Sequence, residues 1–140
     1  MKNKDEVLGA CSPASLVRSI DGIINKVILR ELWVSYVVSE VGCTANAFDS
    51  LAECTNFSID EVKNSILYLA KIDQIIFDSE TCEILIPQWL QYNYLQTGTR
   101  AENMKDILNA LNNVKSIQLR TIIIDEIARI DKVKSVLSKY

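Results

Sequence analysis

Residues 58–87 read SIDEVKNSILYLAKIDQIIFDSETCEILIP, and this stretch decides the fold. It opens with Ser58 and Glu61 at the spacing of a capping box. In that motif the serine side chain caps the amide three residues on, and the glutamate returns a bond to the serine amide. Apolar residues then recur at helical spacing as far as Lys71. The first half of the stretch therefore predicts an amphipathic helix with a well-defined start.

Two short apolar runs follow this helix and predict a β-hairpin. The runs are residues 74–77 and 83–86; a turn-rich segment separates them and Pro87 ends the second. A shorter helix at 46–54 precedes the capping box across a short turn, and two helices joined in this way form a helix-turn-helix. The order predicts a mainly α protein: a winged helix-turn-helix with a two-stranded β-hairpin wing.

The flanking sequence predicts additional N- and C-terminal helices around a winged core at 24–93. We expect a single domain over 1–140, with a flexible start at 1–12 and C-terminal helices within 99–140. A helix predicted over 24–41 is apolar over most of its circumference. Such a helix is either the central helix of the domain or one that faces a partner, and the central position is favoured.

Composition excludes several classes of protein. A chain of 140 residues that is 49% hydrophobic and 24% charged is long enough for one domain with its own core. It shows no signal peptide and no apolar run of about 20 residues, which predicts a cytoplasmic protein that does not enter a membrane. Four scattered cysteines and no histidine give neither a local zinc motif nor a base for a nucleophile. We therefore expect no enzyme, metal or cofactor.

The hairpin and the residues after it resemble a known family. Residues 75–81 read IIFDSET and residues 84–93 read ILIPQWLQYN. These two segments resemble the wing and the next helix in the amino-terminal winged-helix domain of phage replication-initiation (replisome organiser) proteins. Residues 106–111, DILNAL, are similar to the helix that follows there. The resemblance implies binding at a replication origin and recruitment of the host helicase machinery.

In a helix-turn-helix the second helix enters the major groove, so the helix after Ser58 is the candidate DNA reader. Its apolar stripe leaves six residues outward or flanking: Asp60, Lys63, Asn64, Ser65, Tyr68 and Lys71. Asn64 suits adenine and Lys63 suits guanine or phosphate. Lys71 suits a phosphate, and Tyr68 a sugar or phosphate. The alternative is that all six are ordinary solvated or flanking positions of an amphipathic helix.

The charge of the winged core opposes DNA binding. Residues 31–91 hold ten acids and two bases, a net charge of −8, whereas 1–30 carry +2 and 92–140 carry +3. Affinity for duplex DNA comes largely from neutralising phosphates, and the predicted wing turn carries Asp78 and Glu80. Bases from outside residues 31–91 are the candidates to complete a DNA-binding groove: Arg100 and Lys105, and also Lys26, Arg30, Arg120, Arg129, Lys132, Lys134 and Lys139.

Two functions therefore stay open from the sequence. The favoured one is a DNA-binding winged-helix protein of a phage or mobile element that acts on double-stranded DNA in replication initiation. The other is an acidic protein-interaction module that binds and modulates a replication, regulatory or nuclease partner. A homodimer is a further expectation, through the apolar helix around Trp33 or through the final helix.

Overall fold

The computed structural model describes residue 17 and residues 20–34, 38–97 and 104–129. Within these residues the protein is mainly helical, with a small three-stranded antiparallel sheet. In chain order the elements are α1 (Ile23–Val34), β1 (Cys43–Ala45), α2 (Phe48–Thr55), α3 (Ile59–Lys71), β2 (Ile76–Asp78), β3 (Glu83–Leu85), α4 (Trp89–Thr97), α5 (Met104–Asn113) and α6 (Ile117–Arg129). The predicted flexible start, Arg100 and the basic residues beyond Arg129 lie outside the described residues.

The predicted capping box is present and starts α3. The Glu61 amide donates to Ser58 Oγ at 3.1 Å, and the Ser58 amide donates to Glu61 Oε1 at 3.0 Å. Val62, Ile66 and Leu69 then fall on one face and are fully buried. The cap fixes where the helix begins, and helical spacing fixes which side of it faces the core.

The predicted hairpin is also present, but it belongs to a larger sheet. β2 and β3 pair antiparallel, with Ile76 opposite Leu85. β1 pairs with the other edge of β3, with Thr44 opposite Ile84, which gives the strand order β1-β3-β2. The prediction of a two-stranded sheet was incomplete, because a strand of three residues is too short to reveal a period of two.

The sheet lies between two hydrophobic clusters. Successive residues of a strand point to opposite faces. On β3, accordingly, Ile84 belongs to the cluster with α1, α2 and α3, whereas Leu85 belongs to the cluster with α5 and α6. The first cluster includes Ile28, Leu29, Leu32, Leu51, Val62, Ile66 and Leu69; the second includes Val41, Leu90, Ile107, Leu111, Leu119 and Ile123. Helices α5 and α6 therefore cover the face of the sheet opposite α3.

The helix predicted over 24–41 was too long. α1 spans Ile23–Val34, and residues 38–42 form turns. Val38 is half-buried and Val41 is fully buried in these turns. The apolar pattern thus continues past the helix because the turn also contributes to the core, and periodicity alone does not separate the two cases.

Gly42 closes this turn and has no workable substitute. The Ser39 amide donates to the Cys43 carbonyl at 2.9 Å, which leads the chain into β1. Gly42 has a φ of 79°, and a Cβ at this position would lie 2.4 Å from Trp89 Cβ. Both the left-handed backbone and the contact with α4 therefore require glycine.

α1 occupies the central position that was favoured for it. Ile28, Leu29 and Leu32 are fully buried. Trp33 is only 7% exposed, because its ring stacks on Trp89 with 5.5 Å between centroids. Trp33 itself is therefore a core residue, and self-association through α1 stays a prediction.

Candidate nucleic-acid interface

α3 presents one line of side chains directly away from the core. The buried positions Val62, Ser65, Ile66 and Leu69 define its inner face. At 3.6 residues per turn, the opposite line consists of exposed residues, which we call the α3 stripe: Asp60, Asn64, Leu67 and Lys71. Two of the predicted DNA contacts, Asn64 and Lys71, thus lie on one straight line.

Leu67 lies in the middle of the α3 stripe and was not among the predicted contacts. Its side chain is 57% exposed, although leucine is a typical core residue. The signal that identifies it is its position, three residues after Asn64 and four before Lys71. Residue type alone assigns it to the core, whereas its angle on the helix assigns it to the surface.

Lys63 lies on the flank of α3 that faces α2. Its Nζ atom is 5.8 Å from the centre of the Phe48 ring. An exposed cation–π contact is worth about 0.5–1 kcal/mol, so it orients the lysine only weakly. Lys63 therefore flanks the α3 stripe and keeps its charge available to a phosphate.

Ser65 was predicted to be outward or flanking, and this was wrong. It is 2% exposed, because a residue three after Val62 and four before Leu69 shares their face. Its hydroxyl has no hydrogen-bond partner among the described residues.

Tyr68 lies on the other flank of α3, half-buried. Together with Asn64 it lines a cleft of about 570 Å³ between α3 and the start of α1. The remaining lining residues are Gly22, Ile23, Ile24, Asn25, Glu61 and Ser65. We call this the α1–α3 cleft. It brings together two predicted contact residues that are four positions apart.

Lys105 is not brought to this surface. It is exposed on α5, whose buried residues Ile107 and Leu111 belong to the cluster on the opposite face of the sheet from α3. The other predicted contact from outside the winged core, Arg100, lies outside the described residues.

The hairpin tip is bound to the start of α6. Asp78 Oδ1 accepts from the amides of Glu80 at 2.9 Å and Thr81 at 3.3 Å. A hydrogen bond from the Ser116 side chain, with these two amides, holds the pKa of Asp78 below its usual range. The Asp78 charge is therefore used within the molecule, and Glu80 is the acid that the tip presents to solvent.

Glu83 is a buried carboxylate that sequence reasoning missed. It is 2% exposed on β3. Its Oε2 accepts from the Lys115 amide at 2.9 Å, and its Oε1 accepts from the Ser116 amide at 2.7 Å. These amides lie at the amino end of α6, where Ser116 Oγ also caps the Leu119 amide at 3.2 Å. The charge of Glu83 thus stabilises a helix start and does not face a partner.

Two further titratable groups are buried near the sheet and α6. Burial, and then the negative charge of Glu83, raise the pKa of the Cys43 thiol to about 12. Burial raises the pKa of Glu126 to about 7, although the Gln88 backbone amide and Arg129 favour its ionised form. Neither oxygen of Glu126 has a fully formed hydrogen bond within the described residues.

Comparison with known proteins adds no assignment: no family model matches the chain, and neither a curated protein nor a solved structure matches it. Among the described residues, none of the helices has the length and apolar character needed to cross a membrane. In the same part of the chain, no three acidic, cysteine or histidine side chains are grouped as metal ligands would be. The α3 stripe and its two flanks are therefore the candidate functional site.

Proposed function

We propose that the chain is a winged-helix protein that binds double-stranded DNA in replication initiation of a phage or mobile element. The observation that carries the proposal is the α3 stripe. It holds Asn64 and Lys71 in line on the second helix of a helix-turn-helix, and both residues are exposed. The element order and the sheet order β1-β3-β2 support the winged-helix assignment. The resemblance of residues 75–93 to phage initiation proteins supports the replication context.

The charge of the surface determines the kind of binding to expect. Lys63 and Lys71 are the exposed bases of α3, and α1, which carries Lys26 and Arg30, packs directly against α3. Two to four phosphate contacts correspond to a log–log salt slope of about −2 to −4. We therefore expect weak binding with a modest dependence on salt, and recruitment to the origin would rest partly on host replication proteins.

Fluorescence anisotropy with a labelled duplex and its single strand tests the proposal at low and moderate salt. Lys71→Ala should make the salt slope shallower by about one, and Asn64→Ala should weaken the preferred duplex roughly tenfold. Arg120→Ala is the matched control, because Arg120 is exposed on α6 across the sheet from α3. Absence of duplex binding even at low salt would refute DNA binding.

One observation favours a second function, the binding of a partner protein. Residues 31–91 carry a net charge of −8, which suits a basic partner surface, and Leu67, 57% exposed on the α3 stripe, offers such a partner an apolar contact. In that case Leu67→Asp abolishes capture of the partner, whereas the DNA-binding function predicts no partner dependent on Leu67. Leu67 also suits a thymine methyl group, so the anisotropy assay is the first of the two experiments.

Self-association through the final helix stays a prediction. Ile117 and Ile124 are 79% and 51% exposed on α6, and they lie seven residues apart on one side of the helix. Light scattering of the wild type and of Ile124→Asp measures whether this side forms a dimer.

A further inference from the structure

The helices of this protein differ in which acidic group neutralises the partial positive charge at their amino ends. The first amides of a helix lack partners within it and carry partial positive charge. Asp49, Asp60 and Asp106 supply a carboxylate in the first turn of α2, α3 and α5. Glu83 is bound at the start of α6, and Glu126 faces the Gln88 amide at the start of α4.

α1 is the exception among the described helices. Its first turn contains no acidic residue. Asp21 precedes it, but the contact seen there is the Asp21 carbonyl accepting from Asn25 Nδ2 at 3.1 Å; no described residue donates to the Asp21 carboxylate. The first amide of α1 with a backbone acceptor in the described residues is that of Lys26, which donates to Gly22 at 3.0 Å.

The start of α1 forms one wall of the α1–α3 cleft. Gly22, with a φ of 89°, and the next three residues line it. The opposite wall contains Ser65, whose hydroxyl is buried and without a partner in the described residues. The start of α1 and the residue that carries this hydroxyl thus line the same cleft. Glu61 also lines the cleft, but its Oε1 already accepts from the Ser58 amide.

We propose that the α1–α3 cleft binds one phosphate of the DNA backbone, held by the amides of Ile23, Ile24 and Asn25 and by the Ser65 hydroxyl. This inference rests on the proposed DNA binding and places the backbone relative to α3. Helix starts bind phosphate through open amides and the helix dipole, and contacts of this kind fix the register of a protein on DNA. Asn64 lines the cleft and also belongs to the α3 stripe, so a phosphate bound here sets Asn64 beside the base edges.

Two isoleucines provide a matched test. Ile23 and Ile117 are the first residues of α1 and α6 and are 78% and 79% exposed. Aspartate at either position adds the same charge at a helix start, where it favours the helix. Ile23→Asp should leave the melting temperature unchanged or higher while it weakens DNA binding about tenfold. Ile117→Asp, at a start that Glu83 already occupies, should change DNA binding less than twofold.

A second measurement does not depend on DNA. In ¹H–¹⁵N spectra of the wild type, inorganic phosphate should shift the amides of Ile23, Ile24 and Asn25 more than an equal concentration of chloride does. Ser65→Ala should reduce that shift, and we expect alanine to be tolerated because the hydroxyl has no hydrogen-bond partner among the described residues. Unchanged amides would overturn the phosphate site, even if Ile23→Asp fails to fold.

The two proposals fail in different ways. If the wild type binds duplex DNA, and Ile23→Asp and Ile117→Asp bind equally well, the phosphate site is wrong and DNA binding stands. If inorganic phosphate shifts the α1 amides but no duplex is bound at low salt, the cleft is an anion site and the DNA-binding function is wrong.

Discussion

Glu83 and Glu126 are both buried carboxylates that lie next to the start of a helix, α6 for Glu83 and α4 for Glu126. The two carboxylates differ in their hydrogen-bond donors. Glu83 is 2% exposed and each of its oxygens accepts a backbone amide. Glu126 is 9% exposed, and neither oxygen has such a partner in the described residues. Burial accordingly raises the pKa of Glu126 to about 7. A helix start alone does not stabilise a buried charge; matched donors are needed as well.

The local backbone explains the difference. At the start of α6 the amides of Lys115 and Ser116 donate to Glu83, and no other acceptor in the described part of the chain competes for them. At the start of α4 the Trp89 amide already donates to the Ile86 carbonyl at 3.3 Å. Glu126 is left with the Gln88 amide, which favours the ionised form without fully satisfying it.

Replacement of Glu83 should have the largest effect. In Glu83→Gln one oxygen remains as an acceptor and an NH₂ group is set against a backbone amide. One bond to the charged group, worth about 1.5–3 kcal/mol, is lost, and the buried donors left facing each other cost about 1–3 kcal/mol more. We therefore expect a loss of about 4 kcal/mol in the free energy of unfolding by urea. Glu80→Gln, in the same hairpin but exposed, should change it by less than about 0.5 kcal/mol. Equal stability of the two variants would contradict the role of Glu83.

Replacement of Glu126 should raise the free energy of unfolding, whereas replacement of Glu83 lowers it. Its pKa is raised from 4.5 to about 7 in the folded protein, so folding favours the protonated form. The protonated carboxyl contributes its full stabilisation below pH 4.5, the pKa in the unfolded chain. That contribution is lost as the pH rises through about 7, the pKa in the folded protein. Glu126→Gln should therefore stabilise the protein by roughly 2–3 kcal/mol at pH 8 and by much less at pH 5.

The neighbouring exposed acid supplies the control for Glu126. Asp125→Asn removes the same charge from the surface of α6 and should leave the urea midpoint nearly constant at both pH values. A Glu126→Gln variant less stable than the wild type at pH 8 would mean that Arg129 and the Gln88 amide outweigh burial.

The parts of the fold that sequence predicted are local. The capping box of Ser58 and Glu61 spans four residues, and the β2–β3 hairpin is closed by a short turn, so their signals lie within single short windows. β1 was missed because Thr44 is recognised only through its pairing with Ile84, forty positions later. Glu83 was missed for the same reason, since its partner amides are 32 and 33 residues away.

The candidate site likewise has a part that the sequence predicted and a part that it did not. Asn64 and Lys71 were predicted from the helical angle around the core stripe, and both are exposed. Leu67 was missed because residue type was given more weight than angle. Which helix lies beside α3, and therefore the α1–α3 cleft with Ile23 at its edge, depends on the packing of α1, which no pattern within α3 contains.

The smallest expected effect is on the reactivity of the Cys43 thiol, whose pKa responds directly to the negative charge of Glu83. With a pKa of about 12, only about one thiol in ten thousand is ionised at pH 8. Iodoacetamide should modify the exposed Cys54 while Cys43 stays unmodified, as followed by mass spectrometry of the peptides. Since burial is the larger cause of the raised pKa and Glu83 the smaller, Glu83→Gln should speed Cys43 modification less than tenfold, and Glu126→Gln should not speed it at all. If Cys43 were modified as fast as Cys54, β1 would have to be open to solvent. The hydrogen bonds of Glu83 would then not keep the sheet packed against α6.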